Sequence, residues 1–343
     1  RQGNDILQIE LPDGINLTVV DGAGDDRTEI DVRPTNSPSP ATSISISSDT
    51  IDWSPSSPFI QLADRDVSLV GDVVFGSQGT LGSTQIELGT GSLEIVGSLT
   101  LQETVHVTGQ SGDVDWQAAS ISASDTDVDL IIELDESSDA NVALGELDDS
   151  AGQFIDDLRI VSSTHAEFAD DVTIDGVLSV NVLESVSFDG SVSSSGIGIG
   201  ADEITLNGTI SSATGPIELT ANQTIWLDGD IDSSDAGLQG NITVQAETLH
   251  FIDASITLAG ADLMISGASS LDGDLQIDAA GSGVTQGGDV VWFGPIADTS
   301  PADSSRFTID TVGTAGGGKV RFGGVAINDA VTFKTDGAVV ASS

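Results

Sequence analysis

The sequence predicts an all-β protein, and within that class a parallel β-helix (β-solenoid) body with small β elements at both ends. Three observations carry this. The vocabulary is that of strands and turns: the apolar residues are mostly Ile, Val and Leu, while Gly, Ser, Thr and Asp fill most of the rest, with no Tyr and one Met. A short motif, apolar-x-apolar-x-Gly-x-apolar, recurs along the chain. No stretch carries a persuasive helical period; only "LDESSDANVALGELDDSAGQFIDDL", residues 134–158, has room for a short helix or a long loop.

Residues 1–60 form the first element. "DILQIELPDGINLTVVDGAGDDRTEIDV" reads as strand, turn, strand, turn, strand. Five of the nine prolines, Pro34, Pro38, Pro40, Pro55 and Pro58, follow within 34–58 and mark a linker or edge loop. Residues 1–60 are therefore expected to be a separate β segment or a cap.

Residues 61–281 form the body, where the motif lives. Its clear copies begin at Val67, Leu93, Val172, Val186, Ile204 and Ile225, and a decayed copy runs through "LMISGASSLDGDLQI" at 263–277. Neighbouring copies are 26, 79, 14, 18 and 21 residues apart, so the period is loose. Alternation places three apolar side chains on one strand face, and Gly lets the backbone bend or approach a neighbour closely. One such unit cannot bury its face alone. Stacked coils of about 20 residues bury a continuous column of Ile, Val and Leu. A β-sandwich array is the alternative, but sandwiches rarely repeat one short motif in this way. On the solenoid reading, Ile204–Ile210 and Ile225–Ile231 are adjacent coils with Gly208 and Gly229 at matching bends.

Residues 282–343 form the last element, with a break at 282–305 followed by three strand patterns in "RFTIDTVG", "GKVRFGGVAI" and "AVTFKTDGAVVA".

Charge bounds the function. The chain has 343 residues and a formal net charge of −46. Nucleic acid and anionic membrane would both be repelled. Of the 55 acids, 42 are Asp, the residue of turns and strand ends. So large a charge repels itself unless salt screens it or cations bind it, which fits a saline or calcium-rich exterior. The charge is uneven: net −7 over 1–65, −40 over 66–305 with Arg159 as the single base, and +1 over 306–343. Arg306, Lys319, Arg321 and Lys334 make the last segment a candidate surface for packing against another copy of the chain. Zero Cys excludes disulfides and thiolate metal sites. No run of 18 apolar residues exists to cross a membrane as a helix. The chain opens on Arg1 without a leader-like segment, as expected of a processed or excised piece.

The stretch "LNGTISSATGPIELTANQTIWLDGDI", and the body over roughly 66–280, resembles the repeats of filamentous-haemagglutinin-like adhesins and the large acidic repeat proteins of bacterial surfaces. The resemblance implies a right-handed β-helix, an extracellular or cell-surface location and a structural or adhesive role. The secretion motif of the haemagglutinin family is not visible here.

Candidate chemistry is sparse. "LDGDIDSSD" gathers Asp228, Asp230, Asp232 and Asp235, oxygen donors that could hold Ca²⁺. Leu227 and Ile231 point inwards on the alternation, so the same row also reads as a solvated face. "SDTDVDL", with Asp125, Asp127 and Asp129, reads the same way. "VDGAGDDRT" at 20–28 resembles one calcium-binding nonapeptide, a motif that works only in tandem. His106, His165 and His250 are far apart and form no metal motif. A uronate lyase needs a cation at the substrate carboxylate, and residues 66–305 offer Arg159 alone. A hydrolase needs a carboxylate pair in a cleft, and Trp53, Trp116, Trp226 and Trp292 are the only tryptophans available as sugar platforms. Sequons occur at Asn16, Asn207, Asn222 and Asn241. The expected function is therefore a non-enzymatic extracellular structural subunit, self-associating head-to-tail through strands of 1–33 and 306–343. It needs no cofactor beyond possible Ca²⁺. An adhesin stalk that meets a surface glycan or host cell is the alternative, and a β-helical polysaccharide enzyme the third.

Overall fold

The structure is a computed structural model. It describes residues 17–20, 27–29, 43–53, 59–62, 65–76, 83–135, 139–148, 153–161, 163–233, 240–280, 287–298, 305–313, 316–326, 331–335 and 339–341. The described residues contain strands and no helix. The chain divides into two compact units, one reaching Gly176 and including Val180–Leu183, the other comprising Val177–Ser179 and Glu184–Ser343. Each is a parallel β-solenoid, as the sequence predicts.

In the first unit, Ser43–Trp53 pairs in parallel with Asp66–Phe75, and that strand with Leu93–Leu101. Leu93–Leu101 is followed by Val114–Trp116 and Ala119–Ala123. A second ladder stacks Phe59–Gln61, Ser83–Glu87, Thr104–Gly109, Leu130–Leu134 and Leu158–Val161. The described residues of the stretch 134–158 form no helix. It carries the strand Asn141–Leu144, paired with Val114–Trp116 and His165–Phe168, and bridges at Leu147 and Ile155. The alternation of Val142 and Leu144, both buried, outweighs the helix-compatible acids around them.

In the second unit, Gly196–Leu206, Ile217–Leu227, Ile242–Phe251, Leu263–Leu271, Val290–Asp298 and Val320–Ala326 stack in order. Ile210–Ser212, Ile231–Ser233, Ala254–Leu258, Leu275–Asp278, Phe307–Asp310 and Val331–Lys334 form the companion ladder. The ladders run on through both expected boundaries, from Ser43–Trp53 into Asp66–Phe75 and from Leu263–Leu271 into Val290–Asp298.

The copies at Ile204 and Ile225 are adjacent coils: Ile204 pairs with Ile225, Leu206 with Leu227 and Ile210 with Ile231, all buried. A Cβ on Gly229 would collide with the Gly208 carbonyl, so these corner glycines let successive coils close on one another. The copies at Val67 and Leu93 are built differently. Gly71 pairs with Gly97 inside continuous strands, at φ of 142° and 121°. One sequence pattern thus serves two structural purposes, a corner and a mid-strand bend. The stretch 263–277 holds one of each, Gly267 and Gly273.

The inward serines of the repeat answer the corner carbonyls. Ser194, Ser212 and Ser233 are buried and donate to the carbonyls of Gly196, Gly215 and Gly240 at 2.9, 2.8 and 2.6 Å. A buried hydroxyl with a backbone partner avoids the desolvation cost that an unpaired one would carry.

Candidate functional site

The aspartates form a structural device that the sequence did not disclose. At the corner that enters one ladder of the second unit, the Asp262 N–H donates to Asn241 Oδ1 at 3.0 Å. The Asp289 N–H donates to Asp262 Oδ1 at 2.8 Å, and the Lys319 N–H to Asp289 Oδ1 at 2.7 Å. Another corner repeats the scheme: Ser255 N–H to Asp230 Oδ1 at 2.9 Å, Asp274 N–H to Asp253 Oδ1 at 2.9 Å, and Arg306 N–H to Asp274 Oδ1 at 2.8 Å. In the first unit, Asp66, Asp113 and Asp129 accept the N–H groups of Ser92, Asn141 and Asp157 at 3.1, 2.8 and 3.2 Å. At a corner the chain turns out of the strand ladder, and a short carboxylate one coil back stands in for the missing carbonyl. Such a bond is charge-assisted, and Asp has the reach that a turn needs.

This places the predicted calcium residues. Asp230 is engaged with Ser255, Asp228 is exposed, Asp232 is half-buried, and Asp235 lies outside the described residues. Among the described residues, no group of three or more His, Asp or Glu side chains is disposed to hold a metal. The Asp125 carboxylate accepts the backbone N–H of Thr126 at 2.9 Å. Residues 21–26 of the 20–28 stretch lie outside the described residues. The sequon asparagines Asn207 and Asn222 donate their amides to Asp189 and Asp202 at 2.7 and 2.8 Å, and Asn241 is the acceptor named above. Asn16 lies outside the described residues.

In-register carboxylates also repel. Asp156 is held above the usual carboxylate range, first by burial and then by Asp157, Asp129, Asp127 and Asp175. Glu146 is raised first by Asp148, then by burial, Asp170 and Asp171. Arg159, the single Lys or Arg of residues 66–305, faces Glu133 at 3.7 Å, and His106 Nε2 lies 3.1 Å from the same carboxylate.

The tryptophans divide by environment. Trp116 and Trp292 are buried, and the side chain of Trp53 lies outside the described residues. Trp226 is exposed on the outer face, where its ring stacks on His250 with centroids 3.8 Å apart and planes 8° from parallel. Its Nε1–H donates to Glu203 at 3.0 Å, and His250 Nδ1 lies 2.7 Å from the Ser270 hydroxyl. Burial lowers the His250 pKa, against a smaller opposing effect of Asp272. The stack covers one face of the indole, so Trp226 does not lie open on both sides as a sugar platform.

The four predicted assembly residues lie on the last coils. Arg306 and Lys319 are tied by their backbones to the aspartate ladder, and their side chains are exposed. Arg321 is exposed, and Lys334 Nζ lies 3.4 Å from Asp310 Oδ2. The strands that carry them end in aromatic contacts: Phe322 and Phe333 stack at 5.1 Å, and Phe333 meets Phe307 edge-on at 6.2 Å.

No family model, curated protein or solved structure matches this chain. Among the described residues, no helix is long and apolar enough to cross a membrane.

Proposed function

We propose that the chain is a non-enzymatic structural β-solenoid, a subunit of an extracellular fibre or cell-surface appendage that associates with further copies of itself. The observation that carries this reading is the commitment of its carboxylates. Asp66, Asp113, Asp129, Asp230, Asp253, Asp262, Asp274 and Asp289 spend an oxygen on joining one coil to the next. Acids used in this way rigidify a scaffold rather than converge on a substrate. The charge of −46 supports a saline surroundings in which cations, calcium among them, screen the outer face. The resemblance to surface repeat proteins points the same way. Electron micrographs of native material test the proposal: a subunit recurs along a filament, whereas a stalk ends after its own coils and presents a tip to a glycan or host cell. Images with neither arrangement would refute the structural reading.

A glycan hydrolase is the second reading, favoured by the half-buried Asp156 carboxyl among Asp157, Asp129, Asp127 and Asp175, since glycoside hydrolysis uses a pair of carboxyl groups. Depolymerisation of an acidic or neutral glycan, lost in Asp156→Asn, would establish it over the structural role.

A further inference from the structure

We propose that the face of Trp226 turned away from His250 binds an organic cation, an alkylammonium or guanidinium group carried either by a small molecule or by a side chain of a basic protein. The inference goes beyond the structural reading above and does not depend on it, since binding here needs no polymer. Its first ground is an open aromatic face. In the ladder, Trp226 lies between Thr205 on one coil and His250 on the next. The imidazole stacks on one side of the indole, with centroids 3.8 Å apart and planes 8° from parallel. The other side therefore turns towards Thr205, a side chain too short to cover two fused rings. Trp226 is 36% exposed, whereas Trp116 and Trp292 are at most 2% exposed.

The second ground is preorganisation. The indole is fixed at its edge as well as on its face. Its Nε1–H donates to Glu203 Oε1 at 3.0 Å, and Glu203 belongs to the same strand as Thr205, on the open side. His250 is held in turn by the Ser270 hydroxyl, 2.7 Å from Nδ1. Burial lowers the His250 pKa, so at neutral pH the ring behind the indole carries no charge to oppose a cation in front. A ring already locked in place loses little freedom when a ligand arrives.

The third ground selects the ligand. An indole face is electron-rich and attracts a cation placed within about 6 Å of its centroid. The exposed Glu203 carboxylate at the rim of that face adds a full negative charge. Within the second unit, Lys and Arg occur only from Arg306 onwards. An anion would meet Glu203 and a chain of net charge −46. A neutral sugar would gain the stacking and nothing from the charge. A guanidinium or an alkylammonium, weakly hydrated and able to lie on a ring, uses both.

Nuclear magnetic resonance of isotope-labelled protein resolves indole N–H groups from the backbone, and the peak missing from Trp226→Leu identifies Trp226. Wild type at about 0.15 M ionic strength, where the Debye length is about 8 Å, is titrated with tetramethylammonium chloride, dilute guanidinium chloride, a blocked Gly-Arg-Gly peptide, sodium chloride and methyl β-glucoside. The Trp226 peak should shift saturably with the three organic cations and stay in place with sodium and the glucoside. Glu203→Gln keeps an acceptor for the indole N–H and loses the charge, so it should weaken binding by up to about fivefold, the worth of an exposed ion pair. Glu94→Gln, at an exposed carboxylate of the first unit, should leave it unchanged. Tighter binding of the peptide than of tetramethylammonium assigns the cation to a protein partner, and the reverse order to a small molecule. A peak that does not move, a shift that sodium reproduces, a shift with the glucoside in place of the cations, or an affinity that Glu203→Gln lowers no more than Glu94→Gln would each overturn the proposal. Micrographs bear on the polymer alone, so the two readings fail separately.

Discussion

The Asp262 carboxylate accepts the backbone N–H of Asp289 at 2.8 Å, from a residue 27 positions away in sequence and one coil further along the stack. Asp289 does the same for Lys319. A carboxylate thereby continues, at a corner, the parallel ladder that the backbone alone interrupts.

Removing that acceptor should cost stability. We expect Asp262→Ala to lower unfolding free energy by about 1 kcal/mol, the worth of an ordinary intramolecular hydrogen bond, because solvent screens the charge at this exposed site. Asp262→Asn retains a side-chain oxygen and relieves charge repulsion, so it should stay near wild type. Denaturant midpoints for the two variants check this; equal loss in both would count against the ladder.

The two glycine environments should respond differently to alanine. Gly97 has φ of 121°, and a Cβ there would run into the Gly71 carbonyl, so Gly97→Ala should destabilise by roughly 1–3 kcal/mol. A Cβ on Gly198 meets nothing within 4 Å, so Gly198→Ala should fall within about 0.5 kcal/mol of wild type. Thermal melts of both variants in one buffer make the comparison.

Salt should stabilise the fold. With net charge −46, self-repulsion acts over about 30 Å at 0.01 M ionic strength and about 3 Å at 1 M. The melting temperature should rise steadily with sodium chloride over that range, and calcium at equal ionic strength should exceed it only if sites bind the ion specifically.

The perturbed groups give opposite pH signatures. His250 is held below its ordinary value, so its contribution is complete above the unfolded pKa, about 6.5, and is lost as pH falls through the folded value. The fluorescence of Trp226, stacked on that ring, should change over the same interval, and His250→Gln should remove the transition. Asp156 is raised, so its ionisation penalises the fold as pH rises through the folded value. Asp156→Asn should therefore gain stability at pH 7, and the gain should vanish in acid below the unfolded carboxylate pKa, about 3.9.

Much of the fold was legible because strand alternation and glycine corners are local. Ile204 and Ile225 could be set side by side from their spacing, and they pair. Trp226 and His250 could not, because the coil between them spans 24 residues where its neighbour spans 21, and nothing local announces the longer turn. The same variation hid the partners of the aspartates. Asp230 reads in sequence as one more solvated acid beside Asp228 and Asp232; only the stack puts the N–H of Ser255 above it.

The sequence by itself determined the class: an all-β solenoid, rich in Asp and without thiols. These follow from composition and from periods of two residues, which each short segment carries alone. Tertiary structure decided which coil lies on which, and so which carboxylates are staples and which glycines are bends or corners. The physical reason is that a solenoid's contacts run between residues about one coil apart, and coil length is set by corners whose geometry emerges only when the strands are stacked.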